Sequence, residues 1–207
     1  MPDNPYKPPR DVEPSRVEEE KPGLRPDQAG DFGPRACAAV LDLAWFKAVM
    51  AGSFLLACFM LRFVSVGSSA VTLERLENAT SSGVSVVAFL TYFVVAESLG
   101  GASLGKMMFG LRVVGRDFRP AGPSAILIRR LAFFVDSLLF GWPAYASMTN
   151  WPYKQRYGDR WAGTYVFRRE ALPPISVRGS SDVARGIFAG TAVAGAMHVA
   201  DFFLHMV

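Results

Sequence analysis

Residues 36–63 read ACAAVLDLAWFKAVMAGSFLLACFMLRF. A helix over this run is about 42 Å long, enough to cross a hydrocarbon layer of roughly 30 Å with tilt. Working outward, a second run, VSVVAFLTYFVVAESL at residues 84–99, is shorter but sufficient if Glu97 lies at the interface. A third run spans residues 125–148 and contains Asp136 and a Trp142-Pro143 break; a fourth spans residues 186–207. The expected fold is therefore an all-α integral membrane protein with three to four hydrophobic helical segments. Between the second and third runs, glycines at 100, 101, 105, 110 and 115 punctuate a basic amphipathic stretch, read as an interfacial helix followed by a short strand at residues 111–114.

Averages over the 207 residues, 51% of them hydrophobic with a mean hydropathy of +0.22, conceal a sharp division. Residues 1–34 hold eight prolines and the acidic cluster Glu18, Glu19, Glu20, with almost nothing apolar to bury, and are expected to form a disordered cytoplasmic tail. Its NPYKPP stretch is a polyproline II docking motif or, more simply, solvated chain. No signal peptide is apparent, so the first apolar run is expected to stay as an anchor. The formal charge of +4 does not argue for nucleic acid, because the lysines and arginines flank apolar runs instead of forming one soluble basic face. Cys37 and Cys58 fall on one predicted helix about 31 Å apart, too far to bridge. The acceptor pattern Asn78-Ala79-Thr80 is too short to carry weight.

The distribution of basic residues gives an orientation and a difficulty. Arg16, Lys21, Arg25 and Arg35 precede the first run, which puts the N-terminus in the cytoplasm, and Lys106, Arg112, Arg116, Arg119, Arg129 and Arg130 follow the second. The segment after the third run is equally basic, with Lys154, Arg156, Arg160, Arg168 and Arg169, so both its flanks read as cytoplasmic. If Pro143 divides that run into two half-helices of roughly 20 Å, it forms a re-entrant hairpin and not a crossing. The strand-like stretches 111–114 and 164–167 then lie on one side of the membrane, where they can pair.

Ionisable residues inside apolar helices are costly, about 2.5–3.5 kcal/mol for a central Asp on insertion scales, and so commonly face protein or water. Arg35 and Asp42 are seven residues apart, on one helix face about 10.5 Å apart along the axis. The pattern R-x-x-A-x-x-[LV]-D recurs: RACAAVLD at 35–42 and RRLAFFVD at 129–136 both open an apolar helix, a pseudo-repeat of the kind some transporters use to build an ion site. It sets Arg35 with Arg129 at the mouth and Asp42 with Asp136 at a similar depth. Two such carboxylates repel, so one is protonated, or a cation or an arginine sits between them. The structural alternative is that these charges only fix helix packing. Lys47 is expected to snorkel or to pair with Glu97. His198, Asp201 and His205 share a face with metal-like spacing, but no fourth ligand is evident, and no metal site is expected. Trp142, Trp151, Tyr153, Tyr157 and Trp161 read as interfacial anchors. No phosphate loop, Ser/His/Asp set or CxxC pair is visible, so neither an enzyme nor a cofactor is expected.

Four ordered blocks, PRACAAVLD, SLGKMMFGLRVVG, LIRRLAFFVD and QRYGDRWAGTYVFRR, together resemble the RDD family of membrane proteins over residues 34–169. The resemblance implies an RDD membrane domain at 35–170; the proline-rich tail before it, and the linker and C-terminal hydrophobic helix at 171–207 after it, depart from the family pattern. The family is named for an arginine and two aspartates. Arg35 and Asp42 match the first two, and Asp159 or Asp136 the last, with Asp159 favoured. Cation/proton exchange is one activity suggested for the family. Taken with the pseudo-repeat, the resemblance points to a multi-pass protein of the cell membrane that transports a cation or proton through a site drawn from Arg35, Asp42, Arg129, Asp136 and Asp159. In that reading Asp42 exchanges the ion and Arg35 gates or pairs it. The alternative is a non-transporting accessory or scaffold protein. Membrane lipid and a second copy of the chain are the expected partners.

Overall fold

A computed structural model describes residues 25–64, 82–136, 138–174 and 178–206. The NPYKPP stretch, the acidic cluster at 18–20 and Asn78 lie outside these residues. In chain order the described elements are α1 (Phe32–Val64), α2 (Ser82–Gly100), α3 (Leu104–Met108), β1 (Leu111–Gly115), α4 (Pro123–Asp136), α5 (Leu138–Asn150), α6 (Tyr157–Trp161), β2 (Thr164–Arg168) and α7 (Ser180–Met206). Three of them, α1, α2 and α7, are long and apolar enough to cross a membrane.

The distribution of side chains over these helices is that of a protein dissolved in lipid. Leu55, Phe59, Phe188 and Leu204 face outward, each more than 60% exposed, whereas Arg35, Asp42, Glu97 and Asp201 on the same three helices are at most 4% exposed. Such an apolar exterior would be a liability in water and is required in a bilayer.

The three long helices pack through small residues. Along α7, Gly186 lies against the backbone of Ala96 and Gly100, and Gly190 against that of Tyr92; a Cβ at either would come within 2.8 Å of a backbone oxygen of α2. Because position rises along α7 as it falls along α2, the two are antiparallel, and Gly100 meets Val183 where α2 ends and α7 begins. Trp45 Nε1 donates to Thr191 Oγ1 (3.2 Å), Gly195 lies beside Ser53, and Phe54 packs edge-on against Phe202, so α1 runs parallel to α7. Glycines allow this close approach of helix axes, and van der Waals contact then supplies most of the association energy in lipid.

The described elements between α2 and α7 gather at one end of the bundle, beside the start of α1. Strands β1 and β2 pair antiparallel from Leu111↔Arg168 to Gly115↔Thr164. One face of this ribbon covers Ala38 and Ile126 with Leu111, Val113 and Val166; the other buries Val114 and Phe167 with Ala29 and Leu172. The chain before α1 takes part: Pro26–Gln28 form a 3-10 turn, Ala29 is fully buried and bridges Phe167, and Gly30 N–H donates to Val166 O (2.9 Å). Packed structure thus begins within the stretch expected to be tail. Tyr153, expected at the interface, instead stacks edge-on with Tyr165 and Phe167, while Trp142 and Trp161 do face outward.

The third apolar run is described as two helices, Pro123–Asp136 and Leu138–Asn150, and Pro143 lies inside the second; the backbone leaves right-handed geometry at Leu139 (φ +48°) and Gly141 (φ +85°), just before the proline. Pro143 has no N–H to offer the carbonyl of Leu139. Each half is about 20 Å long, too short to cross alone. The interfacial helix expected after α2 shrinks to α3, where Gly105 and Lys106 are buried.

Candidate functional site

The turn-and-ribbon end of the bundle brings charged residues from five elements together around buried carboxylates. Asp159, on α6, is 2% exposed and receives Arg35 Nη1 from α1 on Oδ2 (2.7 Å) and Arg129 Nη2 from α4 on Oδ1 (2.9 Å). The backbone N–H of Arg156 donates to Oδ2 (3.3 Å), and Arg35 Nη2 also donates to Val166 O (3.2 Å) on β2. Burial alone would raise the Asp159 carboxyl; Arg129, Arg35 and Arg156 outweigh it and hold the group well below the usual carboxylate range. One aspartate therefore ties α1, α4, α6 and the ribbon into one unit.

Of the two roles expected for Arg35, gating Asp42 or pairing with it, the pairing is not made: Arg35 binds Asp159 instead. The Asp42 carboxylate accepts the Ser103 hydroxyl on Oδ2 (2.6 Å) and the Gly105 N–H on Oδ1 (2.7 Å), and so caps the start of α3. The approach is close because residue 105 has no side chain: a Cβ there would sit 2.1 Å from Ala38 O. Seven residues separate Arg35 from Asp42, and the helix sends the first to Asp159 and the second to α3.

A second carboxylate, Glu97 near the end of α2, is fully buried between Lys106 Nζ (2.5 Å) and the Arg130 guanidinium, which also covers the Phe93 ring at 3.5 Å. Lys47, expected to snorkel or to pair with Glu97, is exposed on α1. Asp136 ends α4 and is 3% exposed, and its Oδ1 has no hydrogen-bond partner among the described residues. Burial, with the Asp159 charge adding, outweighs Arg156, the Gly158 N–H and Arg129 and keeps the Asp136 carboxyl above the usual range.

These groups surround a cavity of about 30 Å³, lined by Arg35, Lys106, Arg129, Arg130 and Arg156 and by Asp42, Asp136 and Asp159. All five residues singled out from the sequence reach it. Both arginines of the pseudo-repeat bind Asp159, one on each oxygen, and both aspartates of the repeat line the cavity. Sequence reasoning missed Lys106, Arg130 and Arg156 as members and Glu97 as a buried hub. The available signal was Glu97 itself, since a carboxylate within an apolar run demands counter-charges.

On α7, His198 and Asp201 are buried, with His198 beside the Phe46 ring. The side chain of His205 is outside the described set, and no group of metal-ligating residues assembles among the described residues.

The RDD family model matches residues 29–163. That span holds every residue lining the cavity except Val166, and it ends before α7. No curated protein and no solved structure matches the chain.

Proposed function

The chain belongs to the RDD family, whose model takes in nearly two thirds of its length, and from that premise we propose that it is a multi-pass protein of the cell membrane that passes protons through the buried charged cavity. The observation that carries this reading is Asp136: a buried carboxyl with an unpartnered oxygen, lining the same cavity as Asp42. A carboxyl that is costly to ionise and can take up a proton without rearranging its neighbours suits proton exchange. A metal cation is disfavoured, because five cationic side chains line the space it would enter. Arg35, Arg129 and Asp159 act as the frame that holds the two carboxyls, and Asp159 is the natural second aspartate of the signature because it, not Asp136, binds Arg35.

In the bilayer, α1, α2 and α7 cross, and α4 with α5 forms a re-entrant hairpin on the cytoplasmic side together with the N-terminus and the ribbon. Two observations favour this. The end of α2 adjoins the start of α7, so the intervening chain leaves and returns on one side, and both flanks of the α4–α5 pair are basic.

The test is proton flux in proteoliposomes with an internal pH-sensitive dye. Wild-type protein should collapse an imposed pH gradient faster than empty vesicles, and Asp136→Asn should abolish the difference. A specific observation supports the accessory reading as the rival: Glu97 and Asp159 are both ion-paired between helices, as locks would be. Folded wild-type protein that leaves the gradient unchanged would establish the rival and end the transport proposal.

A further inference from the structure

The cavity beside Asp159 is unusual in the sign of its lining. Arg35, Lys106, Arg129, Arg130 and Arg156 face it, against Asp42, Asp136 and Asp159. Two of the carboxylates are already engaged: Asp159 by Arg35 and Arg129, and Asp42 by Ser103 and Gly105. Glu97, behind the lining, holds Lys106 and Arg130 on Oε1, and its Oε2 has no partner among the described residues. Donors nonetheless remain. Arg35 Nε, Arg129 Nη1, Arg130 Nε and Arg156 Nε are all buried with no acceptor among the described residues, and Arg35, Arg129 and Arg130 are themselves at most 9% exposed. Four guanidinium N–H groups without acceptors, contributed by α1, α4 and the start of α6, outnumber the two nearby carboxylate oxygens without donors, Asp136 Oδ1 and Glu97 Oε2, and leave a surplus of donors. Buried guanidiniums cannot discharge this surplus by losing a proton, because they stay charged.

We infer that this cavity is a binding site for one small monovalent anion of halide size, held by the unpartnered guanidinium N–H groups of Arg35, Arg129, Arg130 and Arg156. Volume sets the class. About 30 Å³ of accessible space takes a particle of water size or slightly larger. A halide, the smallest common monovalent anion, fits that space. The inference rests on reading this centre as an ion-handling site and names its ligand: an anion offsets the excess cationic charge and accepts the free donors, and a proton on Asp136 then enters beside a neutralised cluster.

The test uses full-length protein in detergent micelles, with chloride as the probe and gluconate replacing it at constant sodium and ionic strength. Chloride should raise the Tm in proportion to the logarithm of one plus the ratio of chloride concentration to Kd, by about 4 °C at ten times Kd, and should broaden the ³⁵Cl resonance of bulk chloride. Bromide should compete in the same range and sulfate should not. Ala39 lines the cavity without bearing charge, so Ala39→Val removes space and leaves every ion pair intact. This variant should fold in gluconate with nearly wild-type Tm and lose both chloride effects. Wild-type protein with equal Tm in chloride and gluconate and no ³⁵Cl broadening would overturn the inference, as would an Ala39→Val protein that binds chloride normally. Proton flux measured on the same preparation separates the two claims. Chloride binding without flux keeps the anion site and removes the transport reading; flux in gluconate without chloride binding does the reverse.

Discussion

Asp159 has two guanidiniums in contact, a third close by and almost no exposed surface, so its replacement leaves buried positive charge with nothing to balance it. Asp159→Asn preserves shape and should destabilise the protein by about 3–5 kcal/mol, the usual loss when one partner of a buried ion pair is removed. Thermal unfolding in micelles would measure it. Arg35→Gln should cost less, since Arg129 and Arg156 still face the carboxylate, and a double-mutant cycle would give the Arg35–Asp159 coupling directly. The exposed counterpart is Asp31, which accepts from Lys154 and Arg168 at the rim of the ribbon. The Lys154 hydrogen bond lowers its carboxyl, burial opposes this, and Arg168 adds to the lowering. Because the folded-state value is depressed, the pair's stabilisation is complete above the ordinary carboxylate pKa near 4 and is lost as pH falls through the lowered value. At this exposure it is less than about 1 kcal/mol. The Tm gap between wild type and Asp31→Asn should therefore be small at pH 7 and close below about pH 4. The individual residues were legible where the two R-x-x-A-x-x-[LV]-D copies mark them. Their pairing was not, because Arg35 reaches across 124 positions to Asp159, and linear spacing on a helix face suggested Asp42 instead.

At the scale of elements, two glycine contacts carry specific consequences. Gly105 brings α3 against Ala38 of α1 so closely that Asp42 can cap it, and a methyl group there would overlap Ala38 O. Gly105→Ala should push α3 outward, separate Asp42 from Ser103, and destabilise by about 1–3 kcal/mol, the usual range for overpacking; Gly33→Ala on the open side of α1 should be silent in the same melt. The α2–α7 contact depends on Gly186 and Gly190 in the same manner. Gly190→Leu should separate the pair, and protease sensitivity of α7 in native membranes would report it. The long helices were readable because hydrophobic length is a one-dimensional property. The GxxxG spacing at 186–190 was equally visible in the sequence but lay in a run judged only by its hydropathy. In the third run the sequence pointed to Pro143, whereas the left-handed residues are Leu139 and Gly141, a feature of backbone geometry that side-chain pattern does not encode. The short β1–β2 ribbon falls on residues 111–115 and 164–168 because each offers a compact β-prone run between polar or glycine-rich neighbours.

For the whole molecule, the decisive relation is that α2 ends where α7 begins. Gly100 packs on Val183, so residues 101–179 must start and finish at one end of the bundle. A single full crossing by the third run would strand the start of α7 on the opposite side and break the Gly186 and Gly190 contacts with α2. The proposed topology therefore has three crossings, with the N-terminus and the charged cavity on the cytoplasmic side and the C-terminus outside. Alkaline phosphatase and green fluorescent protein fusions test it at two points. A fusion after Glu170 should fluoresce and show no phosphatase activity, and one after Val207 should do the opposite. If the Glu170 fusion is instead phosphatase-active, the α4–α5 segment crosses fully. The cavity residues on α1, α4 and α6 could not then share one side with the ribbon, and the proton and anion proposals would both lose the geometry on which they stand.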